Sequence, residues 1–224
     1  MNKHFQRDME HLHHELLAVL VLVEEMIQKA SKALVERQYD AVEAVVKMDE
    51  TVDEREVQIE EECLKILALH QPVAVDLRRL ATVLKVNNDL ERIGDLAVNI
   101  AERALTLEKY LDFDVPTDMP KMVAMANGMV HAALDAFLRM DGAEAQRILR
   151  MDNEVDSLGL EIVEQLQQAM HAVPNEVVPA LNCFSAVHSV ERIADHATNI
   201  AEDVIYLVGG EIIRHRHQTG NASS

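Results

Sequence analysis

The chain has 224 residues, of which 49% are hydrophobic and only 3% aromatic, and it carries a formal net charge of −18. Such an acidic surface repels nucleic-acid phosphates and anionic lipids, so the composition argues against a protein that binds either of them. Seven glycines, five prolines and no tryptophan, with many Ala, Leu, Val and Glu residues, predict helices rather than sheets.

The sequence shows neither a targeting segment nor a membrane span. The N-terminal segment is too polar for a signal peptide, and the longest fully apolar run, residues 16–23, is far too short to cross a bilayer. The two cysteines, Cys63 and Cys183, lie far apart within apolar helical stripes and are predicted to be inert core residues. We therefore expect a soluble cytoplasmic protein.

Three helices are predicted in the first half, where apolar residues recur at helical spacing. They span about residues 8–37, 40–70 and 72–110. Asp40 and Glu43 resemble an acidic variant of a capping box at the start of the second helix. Pro72 suits the first turn of the third helix, because proline needs no amide hydrogen there.

Three more helices are predicted in the second half. The fourth ends near Met140, and the fifth begins after Asp141, with Glu144 as the capping partner of that aspartate. The sixth follows a turn at residues 172–179 and ends at Gly209. The chain is thus predicted to consist of a first bundle, a linker, a second bundle and a disordered tail: residues 1–110, 111–120, 121–214 and 215–224.

Two phrases occur once in each half. Residues 91–102 read ERIGDLAVNIAE and residues 191–202 read ERIADHATNIAE, with nine of twelve positions identical. MDETVD at 48–53 likewise matches MDNEVD at 151–156. Each half therefore has one acidic phrase on its second helix and another on its third. This internal repeat predicts an all-α protein built as two tandem three-helix bundles.

The acidic phrases place carboxylates one helical turn apart. On the third helices, Glu91 and Asp95 belong to a stripe that is predicted to face away from the apolar side, as do Glu191 and Asp195. The second-helix aspartates are predicted to lie at the edge of the buried stripe: Asp49, Asp53, Asp152 and Asp156. Carboxylates at this spacing can share a hard cation, although rows of acids are more often plain solvated faces.

In these motifs the chain resembles the PhoU family of phosphate-uptake regulators. The two ERI phrases resemble the doubled signature of that family, and the MD phrases match its companion motif on the preceding helix. QPVAVDLRRL at 71–80 is similar to the family phrase Q-P-x-A-x-D-L-R, which the second half lacks. The resemblance extends from about residue 4 to residue 214, and it implies two three-helix bundles.

The resemblance also implies a function. Family members negatively regulate the phosphate-starvation response and phosphate uptake, and act by protein contact rather than as enzymes. The implied partners are the phosphate transporter's ATPase, PstB, and the sensor kinase PhoR, which the chain would meet at the membrane. We expect a homodimer that binds no nucleic acid. The expected partner contacts are Asp76, Arg78, Arg79, Arg92 and Arg192.

Some members of this family carry multinuclear iron or zinc clusters on their E/D-x-x-x-D motifs. Carried over residue by residue, the resemblance implies metal ligands at Asp49, Asp53, Glu91, Asp95, Asp152, Asp156, Glu191 and Asp195. All-oxygen ligation also suits magnesium, manganese or calcium. A chain that carries no metal is the alternative.

A metal store or a diiron carboxylate enzyme of the ferritin type is the competing hypothesis. The enzyme design needs Glu-x-x-His on two helices that face the bundle core. Only Glu10 and His13 have this spacing here, and the pair is not repeated. The sequence also has no G-x-x-x-x-G-K-[ST] phosphate loop. It therefore favours regulation through protein contact and leaves passive metal storage open.

Overall fold

The computed structural model describes residues 3–209, and this part of the chain contains six long α-helices. Their bounds are α1 Lys3–Val35, α2 Ala41–His70, α3 Ala74–Leu107, α4 Met119–Arg139, α5 Gly142–Ala172 and α6 Val177–Gly209. A single 3₁₀ turn, Pro174–Glu176, joins α5 to α6. The predicted all-α fold is confirmed, whereas the predicted disordered tail lies outside the described residues.

The start of α1 differs from the prediction, since the helix begins at Lys3 rather than near residue 8. Phe5 and Met9 are buried. The ring of Phe5 also packs edge-on against that of His70 at the end of α2, with 5.6 Å between the ring centroids. Tertiary packing thus stabilises a first turn whose sequence is too polar to predict it.

The two predicted caps behave differently. Asp40 has helical backbone angles and makes no side-chain cap hydrogen bond, so the predicted capping box at α2 is wrong. Asp141 is extended, and its Oδ1 accepts hydrogen bonds from the amides of Ala143 and Glu144 at 3.0 Å each. A side chain reaches the first helical amides only from an extended N-cap residue, which explains the difference.

The helices form two bundles that share one hydrophobic core. α1, α2 and α3 pack together, as do α4, α5 and α6, while α3 also packs against α6 and α1 contacts α4. Lys85 Nζ lies 2.9 Å from Asp203 Oδ1. One turn later on α3, Asp89 contacts His196, which precedes Asp203 on α6. The central helices α3 and α6 therefore run antiparallel.

The connection between the bundles is held by Arg37. Its guanidinium donates hydrogen bonds to the carbonyl oxygens of Phe113, at 2.7 Å, and of Tyr110, at 3.4 Å. The ring of Phe113 is buried in the shared core. The segment between the bundles is therefore tied to the first bundle by hydrogen bonds and to the shared core by the ring of Phe113.

The cysteine prediction is confirmed. Cys63 and Cys183 are both buried and free of disulfides. Burial raises the pKa of each thiol to about 12, so both stay protonated and unreactive near neutral pH. Among the helices of residues 3–209, none is long and apolar enough to cross a bilayer.

Candidate metal centres

The first acidic cluster lies where α2 and α3 pack side by side, and it consists of Asp49, Asp53, Glu91 and Asp95. The charge of Asp95 acts on Asp49, and that of Asp53 acts on Glu91, so each α2 carboxylate has an α3 carboxylate opposite it. A Cβ on Gly94 would lie 3.2 Å from Asp49 Oδ1, which shows how closely this carboxylate approaches the α3 backbone. The structure thus brings together the four residues predicted in this half.

The surroundings of this cluster disfavour the charged form of its carboxylates. Burial, followed by the charges of Asp53 and Asp95, raises the pKa of Asp49 to about 6. Burial and the neighbouring Asp95 also raise the pKa of Glu91. Within the described residues, Asp49 Oδ1 is buried and has no hydrogen-bond partner. A buried carboxylate oxygen that no donor satisfies favours either a proton or a cation.

The positively charged side chain of Arg92 contacts two carboxylates of this cluster. Its guanidinium lies 2.9 Å from Asp95 Oδ2 and 3.3 Å from Glu91 Oε2. The arginine side chain is about half exposed, so it can leave these carboxylates at little cost. Arg92, which the sequence offers as a partner contact, is therefore placed to neutralise the metal-free cluster.

The second acidic cluster repeats the arrangement between α5 and α6 with Asp152, Asp156, Glu191 and Asp195. Burial, and then the charges of Asp156 and Asp195, raises the pKa of Asp152 to about 6. Burial followed by Asp156 also raises the pKa of Asp195. Asp152 Oδ1, like its first-bundle equivalent, is buried without a hydrogen-bond partner in the described part of the chain.

Glu191 of the second cluster has different neighbours from Glu91, its equivalent in the first. Its Oε1 lies so close to Gly159 that a Cβ at that glycine would collide with it. Its Oε2 lies 2.8 Å from Nδ1 of His188, one turn earlier on α6. The second cluster thus has a histidine contact where the first has an arginine, and a glycine makes room for its glutamate.

Both clusters have the ligand chemistry that a hard cation prefers. Each combines four carboxylates, an unsatisfied buried oxygen and an aspartate with a raised pKa, and a cation would relieve all three conditions. As the side chains stand, however, no three acidic, histidine or cysteine groups within residues 3–209 converge on one ion position. Binding would therefore require the carboxylates to rotate or solvent to complete the ligand set.

The prediction that the acidic stripes face away from the packed side is wrong in part. Glu91 is only 21% exposed, because α2 covers it. Asn199 and Glu202 line a crevice of about 670 Å³ between α6 and α3, together with Lys85 and Asp89. α3 contacts α1, α2 and α6, so little of its circumference reaches solvent. Helical periodicity identifies a polar side but not the neighbours that cover it.

The remaining predicted contact residues lie at separate places. Asp76, Arg78 and Arg79 sit at the start of α3 and are partly buried, whereas Arg192 is exposed on α6. Arg79 lines an apolar cavity of about 270 Å³ between α1 and α4. Within the described residues, the Nε atoms of Arg78 and Arg79 have no hydrogen-bond partner. The start of α3 therefore combines cationic and apolar surface.

The Glu10 and His13 pair does not resemble a diiron site in the structure. The ring of His13 packs edge-on against Phe137 of α4, with 5.7 Å between centroids. Burial and the charge of Arg79 lower the pKa of His13. Glu10 Oε1 accepts a hydrogen bond from Gln6. This pair therefore contributes to the α1–α4 contact.

Sequence reasoning missed four residues around the clusters: Glu56, Asn87, Gly94 and Gly159. Asn87 donates hydrogen bonds from Nδ2 to the backbone oxygen of Glu56, at 2.9 Å, and to its Oε1, at 3.2 Å. When the two repeats are aligned, Glu56 matches Gly159, so this difference between the halves is visible in the sequence. The close approaches to the two glycines are visible only in three dimensions.

Comparison with known proteins agrees with these observations. The family model described as the PhoU domain matches residues 16–104 and 119–204, one match in each bundle. The phosphate-specific transport system accessory protein PhoU homolog of Pseudomonas aeruginosa is 37% identical over 216 residues, covering 96% of this chain and 89% of the relative. The accessory protein PhoU of Escherichia coli K12 is 34% identical over 221 residues, covering 96% of this chain and 91% of the relative.

Solved structures show the same fold. The crystal structure of PhoU from Pseudomonas aeruginosa matches with a TM-score of 0.87 and 37% identity, over 92% of this chain and all of that one. The regulatory protein PhoU from Streptococcus pneumoniae matches with a TM-score of 0.87 and 25% identity, over 93% and 99%. Each matched half contains one acidic cluster, and the chain belongs to the PhoU family.

Proposed function

We propose that this protein is a negative regulator of the phosphate-starvation response and of phosphate uptake, acting through protein contact rather than catalysis. The observation that supports this most is similarity along both bundles to accessory proteins of the phosphate-specific transport system. The chain covers about nine-tenths of those relatives, so it contains the parts that they share.

The proposed partners are a PstB-like transporter ATPase and a PhoR-like sensor kinase on the cytoplasmic side of the membrane. The start of α3 offers a surface suited to such contact. Val73, Val75 and Leu77 are exposed there, beside Arg78 and Arg79. Arginine is enriched at protein interfaces, and the buried centre of an interface is more apolar than the rest of a protein surface. A protein of net charge −18 also has few other cationic surfaces for an acidic partner.

We also propose that each acidic cluster binds a hard cation, with iron or zinc implied by the family and magnesium, manganese or calcium allowed by the ligand set. The residues that would hold the ion are those of the two clusters. A cation bound at the first cluster would supply positive charge between α2 and α3, and one bound at the second would do so between α5 and α6. The unpartnered oxygens of Asp49 and Asp152 support this proposal.

Gene deletion in the native host tests the regulatory function. Loss of the protein should leave phosphate-starvation genes expressed in phosphate-rich medium, and the wild-type chain should restore repression. The double variant Arg78→Glu/Arg79→Glu should fail to restore it and should no longer recover the transporter ATPase in pull-downs. Arg150→Glu, an exposed charge reversal on α5, is the matched control. Normal repression in the deletion strain would overturn the proposal.

A further inference from the structure

We propose that residues 210–217, which follow α6 in the sequence, bind in the cavity between α1, α3 and α4 of their own chain, with Ile212 and Ile213 in its apolar part and Glu211 at Arg79. The cavity belongs to the described part of the structure, and the proposed occupant lies outside it. The inference concerns contacts within one chain, so it does not depend on the proposed regulatory function.

The cavity is a small apolar pocket with an arginine on one side. Its volume is about 270 Å³, and its apolar lining includes Met9, Phe137 and Met140. Arg79 also lines it, and the Nε atom of this arginine is buried without a hydrogen-bond partner among the described residues. Pockets for small molecules usually measure about 300–1,000 Å³, so this one suits a few side chains of a peptide. Apolar residues next to a carboxylate match its chemistry.

The register of the two central helices brings the end of α6 to the level of this cavity. Lys85 of α3 lies 2.9 Å from Asp203 of α6. Six residues further along α6 is Gly209, and six residues back along α3 is Arg79. Because the two helices run antiparallel and have the same rise per residue, Gly209 and Arg79 lie at the same level of the molecule.

A second contact places the end of α6 beside the same cavity. A Cβ on Gly142 would lie 3.6 Å from Val208 Cγ1, so the last turn of α6 packs against the start of α5. Met140, two residues before Gly142, lines the cavity. An extended chain advances about 3.3 Å per residue, so the four residues from 210 to 213 can span roughly 13 Å. This length takes the chain from the end of α6 past Met140 to the apolar pocket.

The segment after α6 has chemistry complementary to the cavity. Residues 210–217 read GEIIRHRH, in which Glu211 directly precedes Ile212 and Ile213. One acid and two arginines give the segment a formal net charge of +1, so the rest of the chain carries −19. Burial of the two isoleucines and attraction between opposite charges therefore both favour binding to its own chain. Attachment to that chain also gives the segment an effective concentration of about millimolar, which favours it over a second copy.

Methyl NMR of the full chain, labelled at the methionine and isoleucine methyl groups, tests the inference. We expect nuclear Overhauser contacts from the methyl groups of Met9 or Met140 to those of Ile212 or Ile213. A chain in which these contacts are absent does not bind the segment in the cavity, and that result would overturn the inference.

Variants of the segment check that the methionine signals report its binding. Ile212→Asp/Ile213→Asp should shift the methyl resonances of the two cavity methionines and leave that of Met48, on α2 beside the first acidic cluster, in place. Thr219→Asp/Asn221→Asp is the matched control, because it adds the same two charges beyond the segment. The control should leave all three resonances unchanged. Equal shifts in both variants would contradict a specific contact of the isoleucines.

Charge reversal tests the contact between Glu211 and Arg79. Arg79→Glu should weaken the methyl contacts by roughly fivefold or more, because it places like charges side by side. The double variant Arg79→Glu/Glu211→Arg should restore them. Arg78→Glu is the control, since Arg78 carries the same charge next to Arg79 but does not line the cavity. Circular dichroism checks that the helices remain in each variant.

Two further outcomes would overturn the inference. Failure of the double charge reversal to restore the contacts would exclude the Glu211–Arg79 pair. In a mixture of chains labelled only at methionine with chains labelled only at isoleucine, contacts between the two labels would show that the segment occupies the cavity of a second copy. Neither outcome affects the gene-deletion test of the regulatory function, because all these measurements use the isolated protein.

Discussion

Asp89 of α3 and His196 of α6 are joined by a 2.8 Å contact between Oδ1 and Nδ1, across the boundary between the two bundles. Both side chains are largely buried. The repeat equivalents of this pair are Ser189 and Leu96, so the contact occurs once although the fold is duplicated. Together with the Lys85–Asp203 pair, it fixes how α3 and α6 lie against each other.

Asp89→Ala should destabilise the protein, because it leaves His196 without its partner at a buried interface. We expect a loss of about 1–3 kcal/mol in the free energy of unfolding, measured by urea denaturation. Glu43→Ala is the control, since it breaks the fully exposed Lys47 pair and should change the midpoint little. An unchanged midpoint for Asp89→Ala would show that the interface does not depend on this contact.

The metal-free protein should become more thermally stable as the pH falls from 7 towards 5. Asp49 and Asp152 have a pKa of about 6 in the folded state, above their usual value of 3.8, so the folded state binds more protons than the unfolded state in that interval. Their contribution to stability therefore decreases as pH rises through the interval. Calorimetry of chelator-treated protein measures this, and Asp49→Asn/Asp152→Asn should weaken the dependence.

The double variant Asp95→Ala/Asp195→Ala should reduce the divalent or ferric ion that remains with the purified protein, while its helical content stays unchanged. Both residues belong to the clusters but neither belongs to the hydrophobic core. Elemental analysis of protein purified without chelator or affinity tag gives the metal content. If that content does not fall, the clusters are ordinary acidic surfaces.

Two glycine substitutions should have different effects. Gly128→Ala adds a Cβ with no atom within 4 Å and should stabilise α4 by about 0.5–1 kcal/mol. Gly159→Ala has the same helical benefit but displaces Glu191, so it should stabilise less and weaken cation binding at the second cluster. Thermal melts with and without Mn²⁺ separate these effects. Identical melts for the two variants would contradict the close approach at Gly159.

The helices, the duplication and the eight cluster residues could be predicted because each follows from local spacing or from comparison of the two halves. The contact between Asp89 and His196 could not, since it depends on how two distant helices are rotated when they pack. The absent cap at Asp40 depends on the backbone angles of a turn, which sequence preference alone does not determine. Helical periodicity predicts a solvated Glu91, because it carries no information about α2, which covers this side chain in the structure.

The antiparallel packing of α3 and α6 would make the two ends of the molecule alike, and the residues that differ between the repeats make them unlike. The two helices begin at opposite ends, about 50 Å apart for a 34-residue helix with a rise of 1.5 Å per residue. Arg78 and Arg79 at one end have Val178 and Pro179 as their equivalents at the other. A molecule whose two ends differ in charge can bind two unlike proteins in only one orientation. Exchanging the two proteins would require the molecule to rotate end over end.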